Sequence, residues 1–156
     1  MADHVQLDDE ARQWQARAHD FANEYIRPAA QREWIADPDE RFAWDVIEAG
    51  SRAGFRTAAV PPEYGGPNPA LSPLTLACVI EEFAVADPGI AICFNHAIKD
   101  ARAVARIGTQ EQAAAFFEEF VEDDRYLTAT ALTEPEHGSD RWIQPEGFHL
   151  ETTAVR

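Results

Sequence analysis

The sequence predicts a mainly α-helical bundle followed by the first one or two strands of an incomplete β-domain. Three observations lead to this fold class. Apolar residues recur at helical spacing from residue 7 to residue 120, capping residues and prolines separate the helical stretches, and the spacing is lost after residue 125. We therefore expect an N-terminal helical domain over residues 1–124 and the beginning of a β-domain over residues 125–156.

The first predicted helix begins near Leu7, and its apolar residues fall on one face. Pro28 interrupts the backbone hydrogen bonds, so we expect the helix to end or kink near Arg27 and to continue briefly to Trp34. A second helix is predicted from about Glu40 to Arg52, with Gly54 as its C-terminal cap. The inner face of the first helix is predicted to comprise Leu7, Ala11, Trp14, Ala18, Phe21 and Tyr25, and that of the second Phe42, Val46, Ala49 and Ala53.

Prolines and capping residues mark three further helices. Residues 61–69 contain four prolines and two adjacent glycines and are predicted to form an ordered loop on the bundle. Ser72-Pro73 and Asp87-Pro88 are N-cap signals for the third and fourth helices. Thr109 opens a capping box for the fifth, whose acidic end we interpret as a solvated face. The predicted inner stripe of the third helix is Leu74, Ala77, Ile80 or Glu81, and Ala84, with Phe83 adjoining it.

The fourth helix is apolar nearly all round at its start, over residues 90–94, which indicates a central position. After it and the fifth helix, residues 126–132 are rich in β-branched and aromatic side chains and are predicted to form a strand. Residues 148–155 alternate in polarity and suggest a second strand. Two strands do not form an independent sheet, so further polypeptide is expected to pair with them.

Composition limits the classes of function. The chain has 156 residues, of which 46% are hydrophobic, and this is enough for one domain with a core. It has 28 acidic and 13 basic residues, a formal net charge of -15. Such a surface repels nucleic acid and anionic membranes. No apolar run approaches the roughly 20 residues of a membrane span, so neither partner is expected.

The two cysteines, Cys78 and Cys93, lie in helical apolar stretches without a CxxC pair. We interpret them as reduced core residues, and the N-terminus lacks the blocks of a signal peptide. A cytoplasmic protein is therefore expected. The five histidines show no metal-ligand spacing with cysteines or carboxylates, so no metal site is predicted.

The segment from Thr133 to Asp140 concentrates polar chemistry between the helical region and the second predicted strand. It contains a proline, a glycine, two hydroxyls, a histidine and three carboxylates within eight residues. Backbone N–H groups around Gly138 could bind a phosphate or a carbonyl oxygen. A surface turn capped by Asp140 explains the same residues equally well.

The order of several motifs resembles the acyl-CoA dehydrogenase family, from Leu7 to Arg156. The motifs are V-P-P-E-Y-G-G at 60–66, E-E-F-A at 81–84, I-G-T-Q-E-Q at 107–112, A-L-T-E-P at 131–135 and G-S-D at 138–140. The resemblance implies the family's N-terminal helical domain and only the opening of its middle β-domain. Residues 141–152 make the stretch after Asp140 longer than the common family spacing, which suggests an insertion near the cofactor or a partner subunit.

The resemblance implies that the loop binds FAD and that the assembled site removes hydrogen from the α and β carbons of an acyl-CoA thioester. Phe94 and Ile98, on the fourth helix, match the wall of the acyl-chain cavity, beside the more polar Lys99, Asp100 and Arg102. Residues matching the flavin ring are Thr130, Leu132 and Thr133, those matching the pyrophosphate are Gly138 and Ser139, and Ser139 also matches a contact to the substrate's CoA.

The family's catalytic glutamate comes from a C-terminal bundle, so no catalytic residue is predicted in this chain, and alone it is expected to be inactive. A complementary chain or second subunit is expected to supply the β-domain and C-terminal bundle within a homo- or hetero-oligomer. An electron-accepting flavoprotein is a further partner that the resemblance implies. Two alternatives are a non-catalytic helical interaction subunit that pairs through the open strand, and part of an acyl-CoA oxidase or related flavoprotein.

Overall fold

The computed structural model describes residues 6–35, 42–67, 70–131, 133–135, 138 and 151–153. Helices dominate this part of the chain, as the sequence predicts. In order they are α1 (Asp9–Phe21), a π-helical turn (Ala22–Ile26), α2 (Arg27–Ile35), α3 (Trp44–Arg52), a 3-10 turn (Pro62–Tyr64), α4 (Pro73–Ala86), α5 (Pro88–Ile107) and α6 (Gln110–Glu122). Helix α4 packs between α1 and α5, and α6 packs on α5 and on the 3-10 turn.

The first helical stretch continues through Pro28, where the sequence predicted an end or a kink. The residues before the proline form the π-helical turn, and the N–H of Arg27 reaches back five residues to the carbonyl of Ala22. The wider turn accommodates a residue that lacks an N–H and whose ring would crowd the carbonyl four residues earlier. Helical structure therefore continues from α1 into α2, and the predicted short continuation is confirmed.

The predicted caps are confirmed at four helix ends. Ser72 accepts the N–H of Thr75 at 3.1 Å, and Thr109 forms the reciprocal capping box with Gln112 at the start of α6. Gly54, after α3, has a φ of 83°, the left-handed conformation that glycine tolerates best. The fourth cap is Asp87, between α4 and α5. Helix α3 begins at Trp44, and residues 36–41, where its start was predicted, lie outside the described residues.

Replacing Asp87 with alanine is expected to lower the free energy of unfolding by about 1 kcal/mol, because its carboxylate accepts the N–H of Ile90 at 2.8 Å at the start of α5. The midpoint of urea unfolding measures the change. Asp87→Asn keeps an acceptor at the same place and is expected to stay close to the parent. Equal losses in the two variants would contradict the capping role.

The inner face predicted for α4 is wrong at Leu74, Ala77 and Ala84, which are exposed. That predicted for α3 is wrong at Phe42 alone, since Val46 is buried and Ala49 and Ala53 pack against the same apolar cluster. In α4 the predicted Leu74 is 40% exposed, and the buried residues lie on a neighbouring face of the helix: Thr75, Leu76, Cys78, Val79 and Phe83. The larger side chains remove more apolar surface from water than the alanines of the predicted stripe, so they set the helix rotation. Phe42, predicted to face inward, is 47% exposed and lies before α3. The buried residues of α3 are Val46, Ile47, Gly50 and Ser51.

Helix α5 is central, as predicted. Its residues enter all three apolar clusters of the core: Phe94 the first, Ala97 and Ala101 the second, and Ile98 the third. In the first cluster the aromatic rings contact one another in the order Phe21, Phe55, Phe83, Phe94. Each ring centroid lies 5.1 Å from the next.

The predicted strand at 126–132 is wrong for the residues that the structure describes: 127–131 have no strand pairing. The segment instead runs from α6 onto α5, and a strand without a paired neighbour has no ladder to stabilise it. Glu134 forms an isolated bridge. Of the second predicted strand only 151–153 are described, and they are not in a strand. The predicted loop at 61–69 contains one regular element, the 3-10 turn.

Candidate functional site

The segment that leaves α6 is fixed by two side chains from the α3 region. Ser51 donates its hydroxyl to the carbonyl of Asp124 at 2.7 Å. Arg56 is fully buried and donates to the carbonyls of Phe120 and Tyr126 at 2.5 and 3.3 Å. Burial lowers the pKa of Arg56, and the negative charges of Asp124 and Asp123 oppose that shift. The path of the chain between α6 and the polar loop is therefore set by the helical domain.

Thr130 then anchors the segment across the polar face of α5. Its hydroxyl donates to Asp100 at 3.0 Å and accepts from the Lys99 ammonium at 2.5 Å. Lys99 also lies 3.5 Å from Asp100 and 2.9 Å from Nδ1 of His96. Because an ammonium only donates, Nδ1 of His96 is the acceptor of this hydrogen bond. These four residues form the α5 polar cluster.

The loop that follows is closed at its base by Glu134. One carboxylate oxygen accepts the N–H of Glu151 at 2.9 Å and the other accepts that of Thr152 at 2.7 Å. The chain therefore leaves and returns at the same point, and Thr133 is exposed beside it. Gly138 is also exposed, and a Cβ added there would have no atom within 4 Å. Leu132 and Ser139, predicted to contact the cofactor, lie outside the described residues.

The predicted substrate residues Phe94 and Ile98 lie on the core side of α5, away from the α5 polar cluster. Phe94 has no exposed surface and contacts the rings of Phe21 and Phe83. Ile98 is 4% exposed and lines a groove of about 520 Å³ between α4 and α5. Of the two, Ile98 is the residue that borders an accessible space. Their assignment to the substrate stays a prediction.

A second groove adjoins this one, with a volume of about 530 Å³. We call it the arginine groove and define it by Leu71, Leu76, Lys99, Arg102, Ala103 and Arg106. Leu76, Lys99 and Arg102 also line the first groove, so the two spaces are continuous. Lys99 therefore belongs both to the α5 polar cluster and to the wall of the grooves.

Sequence reasoning missed the roles of Arg56 and of the α5 polar cluster. His96, Lys99 and Asp100 are spaced three and four apart, which places them on one helix face, so the sequence contained a signal for their proximity. It contained none for their contact with Thr130, thirty residues away along the chain. Arg56 has no such pattern, since the two carbonyls to which it donates belong to α6 and to the segment after it.

Two negative findings complete the site. Within the described ranges, no three or more histidine, cysteine or carboxylate side chains come together in a way that could bind a metal ion. Among the helices of those ranges, none is long and apolar enough to cross a membrane. Cys78 is buried in α4, and burial, together with the charges of Glu81 and Glu82, raises the pKa of its thiol, which disfavours the reactive thiolate.

These features define a helical domain with a polar segment at its edge. The family model for the N-terminal domain of acyl-CoA dehydrogenases matches residues 8–124, and the chain belongs to the acyl-CoA dehydrogenase family. It is 32% identical over 136 residues to a mitochondrial isobutyryl-CoA dehydrogenase of Dictyostelium discoideum. That match covers 87% of this chain and 31% of the relative, so the chain spans about a third of the length of that protein.

Solved structures agree on the fold. Butyryl-CoA dehydrogenase from Megasphaera elsdenii superimposes with a TM-score of 0.71 at 26% identity, over 91% of this chain and 37% of that one. A nitroalkane oxidase superimposes with a TM-score of 0.79 at 22% identity, over 96% of this chain and 35% of that one. The second likeness, at its lower identity, concerns the fold alone.

Proposed function

We propose that this chain forms the helical wall and the flavin-side segment of a FAD site that removes hydrogen from the α and β carbons of an acyl-CoA thioester. The observation that carries the proposal is the anchoring of Thr130 on α5 by Lys99 and Asp100. It fixes the chain directly before the loop that resembles the family's flavin-binding motif. Family membership over residues 8–124 supports the same assignment.

The described residues of the loop are compatible with FAD. The hydroxyl of Thr133 is exposed, and the structure records no hydrogen bond to it in the described part of the chain. Open space around Gly138 leaves room for a ligand close to the backbone. We assign Thr130, Leu132 and Thr133 to the flavin ring and Gly138 and Ser139 to the pyrophosphate. FAD, when bound, supplies the acceptor for the hydride that leaves the β-carbon.

The contribution of this chain is to bind the flavin and to orient it. Thr133 can donate a hydrogen bond to the bound group, and the α5 polar cluster keeps the preceding backbone in place. The general base that takes the α-proton is assigned to polypeptide outside residues 1–156, because the chain spans 31% of its isobutyryl-CoA dehydrogenase relative. We further propose that residues 125–156 begin the β-domain that this polypeptide completes, in an oligomer served by an electron-accepting flavoprotein.

The interaction-subunit alternative depended on an open strand at 126–132. The described residues 127–131 are not in a strand, and Thr130 is hydrogen-bonded within the domain. A backbone fixed in this way has less freedom to pair with another chain. The contacts of the segment therefore favour the cofactor role.

Flavin binding tests the proposal. The tagged chain is purified together with its complementary polypeptide, and the flavin absorbance per chain is recorded. Thr133→Ala is expected to weaken flavin affinity by roughly twofold to tenfold, the range for loss of one hydrogen bond. Ser139→Ala is expected to act in the same direction.

Thr57→Ala is the matched control, because Thr57 is a half-buried threonine in the helical domain before the loop region. Its flavin affinity is expected to equal that of the parent. An assembly that contains no flavin, or loop variants that bind it as tightly as the parent does, would overturn the cofactor role.

A further inference from the structure

The arginine groove joins an apolar lining to positive charge. Leu71 and Leu76 are buried at its base, while Lys99, Arg102 and Arg106 project along one side of α5. The residues that line the arginine groove include no carboxylate among those described, and Glu81 lines the adjoining groove, although acidic residues outnumber basic ones by 28 to 13 in the whole sequence. An apolar cleft with a few convergent charges is the usual form of a small-molecule site.

Two of these cations, Arg102 and Arg106, are exposed and differ from the other described cations in their protein contacts. The other described arginines and the lysine each form a hydrogen bond or an ion pair with a protein group. For Arg102 and Arg106 the structure records neither within the described residues. Unpaired cations that share a groove in a strongly acidic protein leave a local positive potential, which attracts an anionic ligand.

The groove also lies next to the proposed cofactor segment. Lys99 contacts Thr130 on one side and lines the groove on the other. Arg102 and Arg106 follow at three and seven residues further along α5, so the row of charges extends about 10 Å along the helix axis from Lys99. A ligand that begins at Thr130 and follows the groove therefore meets apolar surface and then two guanidinium groups.

We propose that the acyl group handled by this site carries an anionic end, a carboxylate on an otherwise apolar chain, and that Arg102 and Arg106 determine this specificity. The inference rests on the proposed function, since it names the substrate class of that site. Lys99 is already engaged by Asp100 and Thr130, which leaves the two arginines as the groups that can form charge-assisted hydrogen bonds with the carboxylate.

The same positive charge could receive the phosphates of the CoA carrier, so the experiment separates the two sources. In the flavin-loaded assembly, affinities are measured by calorimetry for two acyl thioesters of equal chain length, one ending in a carboxylate and one in a methyl group. Each acyl group is presented both on CoA and on the phosphate-free carrier N-acetylcysteamine. The parent is expected to prefer the carboxylate on both carriers.

Arg102→Gln and Arg106→Gln are each expected to weaken binding of the carboxylate-ended thioester about tenfold to hundredfold, with little change for the methyl-ended one. Arg102→Lys is expected to recover part of the preference. Arg12→Gln, which removes an exposed arginine of α1 outside the grooves, is the charge-matched control and is expected to match the parent.

Three results would overturn the inference. The first is a parent assembly that shows no preference for the carboxylate-ended thioester. The second is that the arginine variants weaken binding of both CoA thioesters equally and leave binding of the N-acetylcysteamine thioesters unchanged, because the groove then binds the phosphates of the carrier. In both cases an intact flavin absorbance leaves the proposed function standing. An assembly without flavin or thioester binding refutes the proposed function and this inference with it.

Discussion

Replacing Gly66 with alanine is expected to lower the free energy of unfolding by about 3 kcal/mol or more. A Cβ at this position would lie 1.6 Å from the carbonyl oxygen of Val60 and 2.4 Å from its carbonyl carbon. Both are backbone atoms, so no side-chain rotation relieves the overlap. Val60 is fully buried against Phe117 and Ala97 and cannot move without opening that cluster. The midpoint of urea unfolding measures the effect.

Gly54→Ala is the control for Gly66→Ala. Gly54 has a positive φ of 83°, but a Cβ there would have no atom within 4 Å. Its replacement therefore adds only the strain of a left-handed alanine, about 1–2 kcal/mol. A larger loss for Gly66→Ala than for Gly54→Ala is the expected order. Equal losses would show that the loop moves away from Val60 at little cost.

Replacing Arg56 with methionine is expected to destabilise the fold by about 2–4 kcal/mol, because it leaves one buried and one partly buried carbonyl without this donor. Those carbonyls belong to Phe120 and Tyr126, and the guanidinium also accounts for a 2.7 Å bond to Ser51 and for stacking at 4.5 Å from the Phe120 ring centroid. The second terminal nitrogen of Arg56 is buried without a partner, which reduces the net benefit of the charge and limits the expected loss.

Arg17→Met is the matched control for Arg56→Met. Arg17 also donates to a carbonyl, that of Ala53 at 2.8 Å, and also stacks on an aromatic ring, that of Trp14 at 4.2 Å, but it is exposed. Water can replace its hydrogen bond, so a loss below about 1 kcal/mol is expected. Urea unfolding and amide exchange at Tyr126 and Leu127 are the measurements. Unchanged exchange in Arg56→Met would contradict its role in fixing the segment after α6.

The local signals of the helical domain were readable from the sequence. Ser72, Asp87 and Thr109 each accept a backbone N–H three residues later, so the residues that start these helices lie beside one another in the chain. The prediction for Gly54 is local in the same way, since the cap needs only one left-handed residue. Local hydrogen bonds of this kind require no knowledge of the tertiary structure.

Predictions that depended on packing were less reliable. The wrong face was chosen for α4 because several small and large apolar residues give competing stripes, and burial of Leu76, Val79 and Phe83 decides between them. The strand at 126–132 was predicted from side-chain type, whereas a strand requires a paired neighbour. The sequence indicated that the loop is polar. The structure adds that Glu134 closes the base of the loop.

By itself, the sequence determined a mainly helical domain, the caps of its helices and the polar loop that follows it. Only the tertiary structure decided that Thr130 is bonded to α5, that Arg56 holds the segment after α6, and that Arg102 and Arg106 share one groove with Leu71. These contacts join residues about thirty to seventy positions apart. They form only after the chain has collapsed, because each needs two elements that are already packed side by side. Such contacts produce no periodic pattern in the sequence of either element.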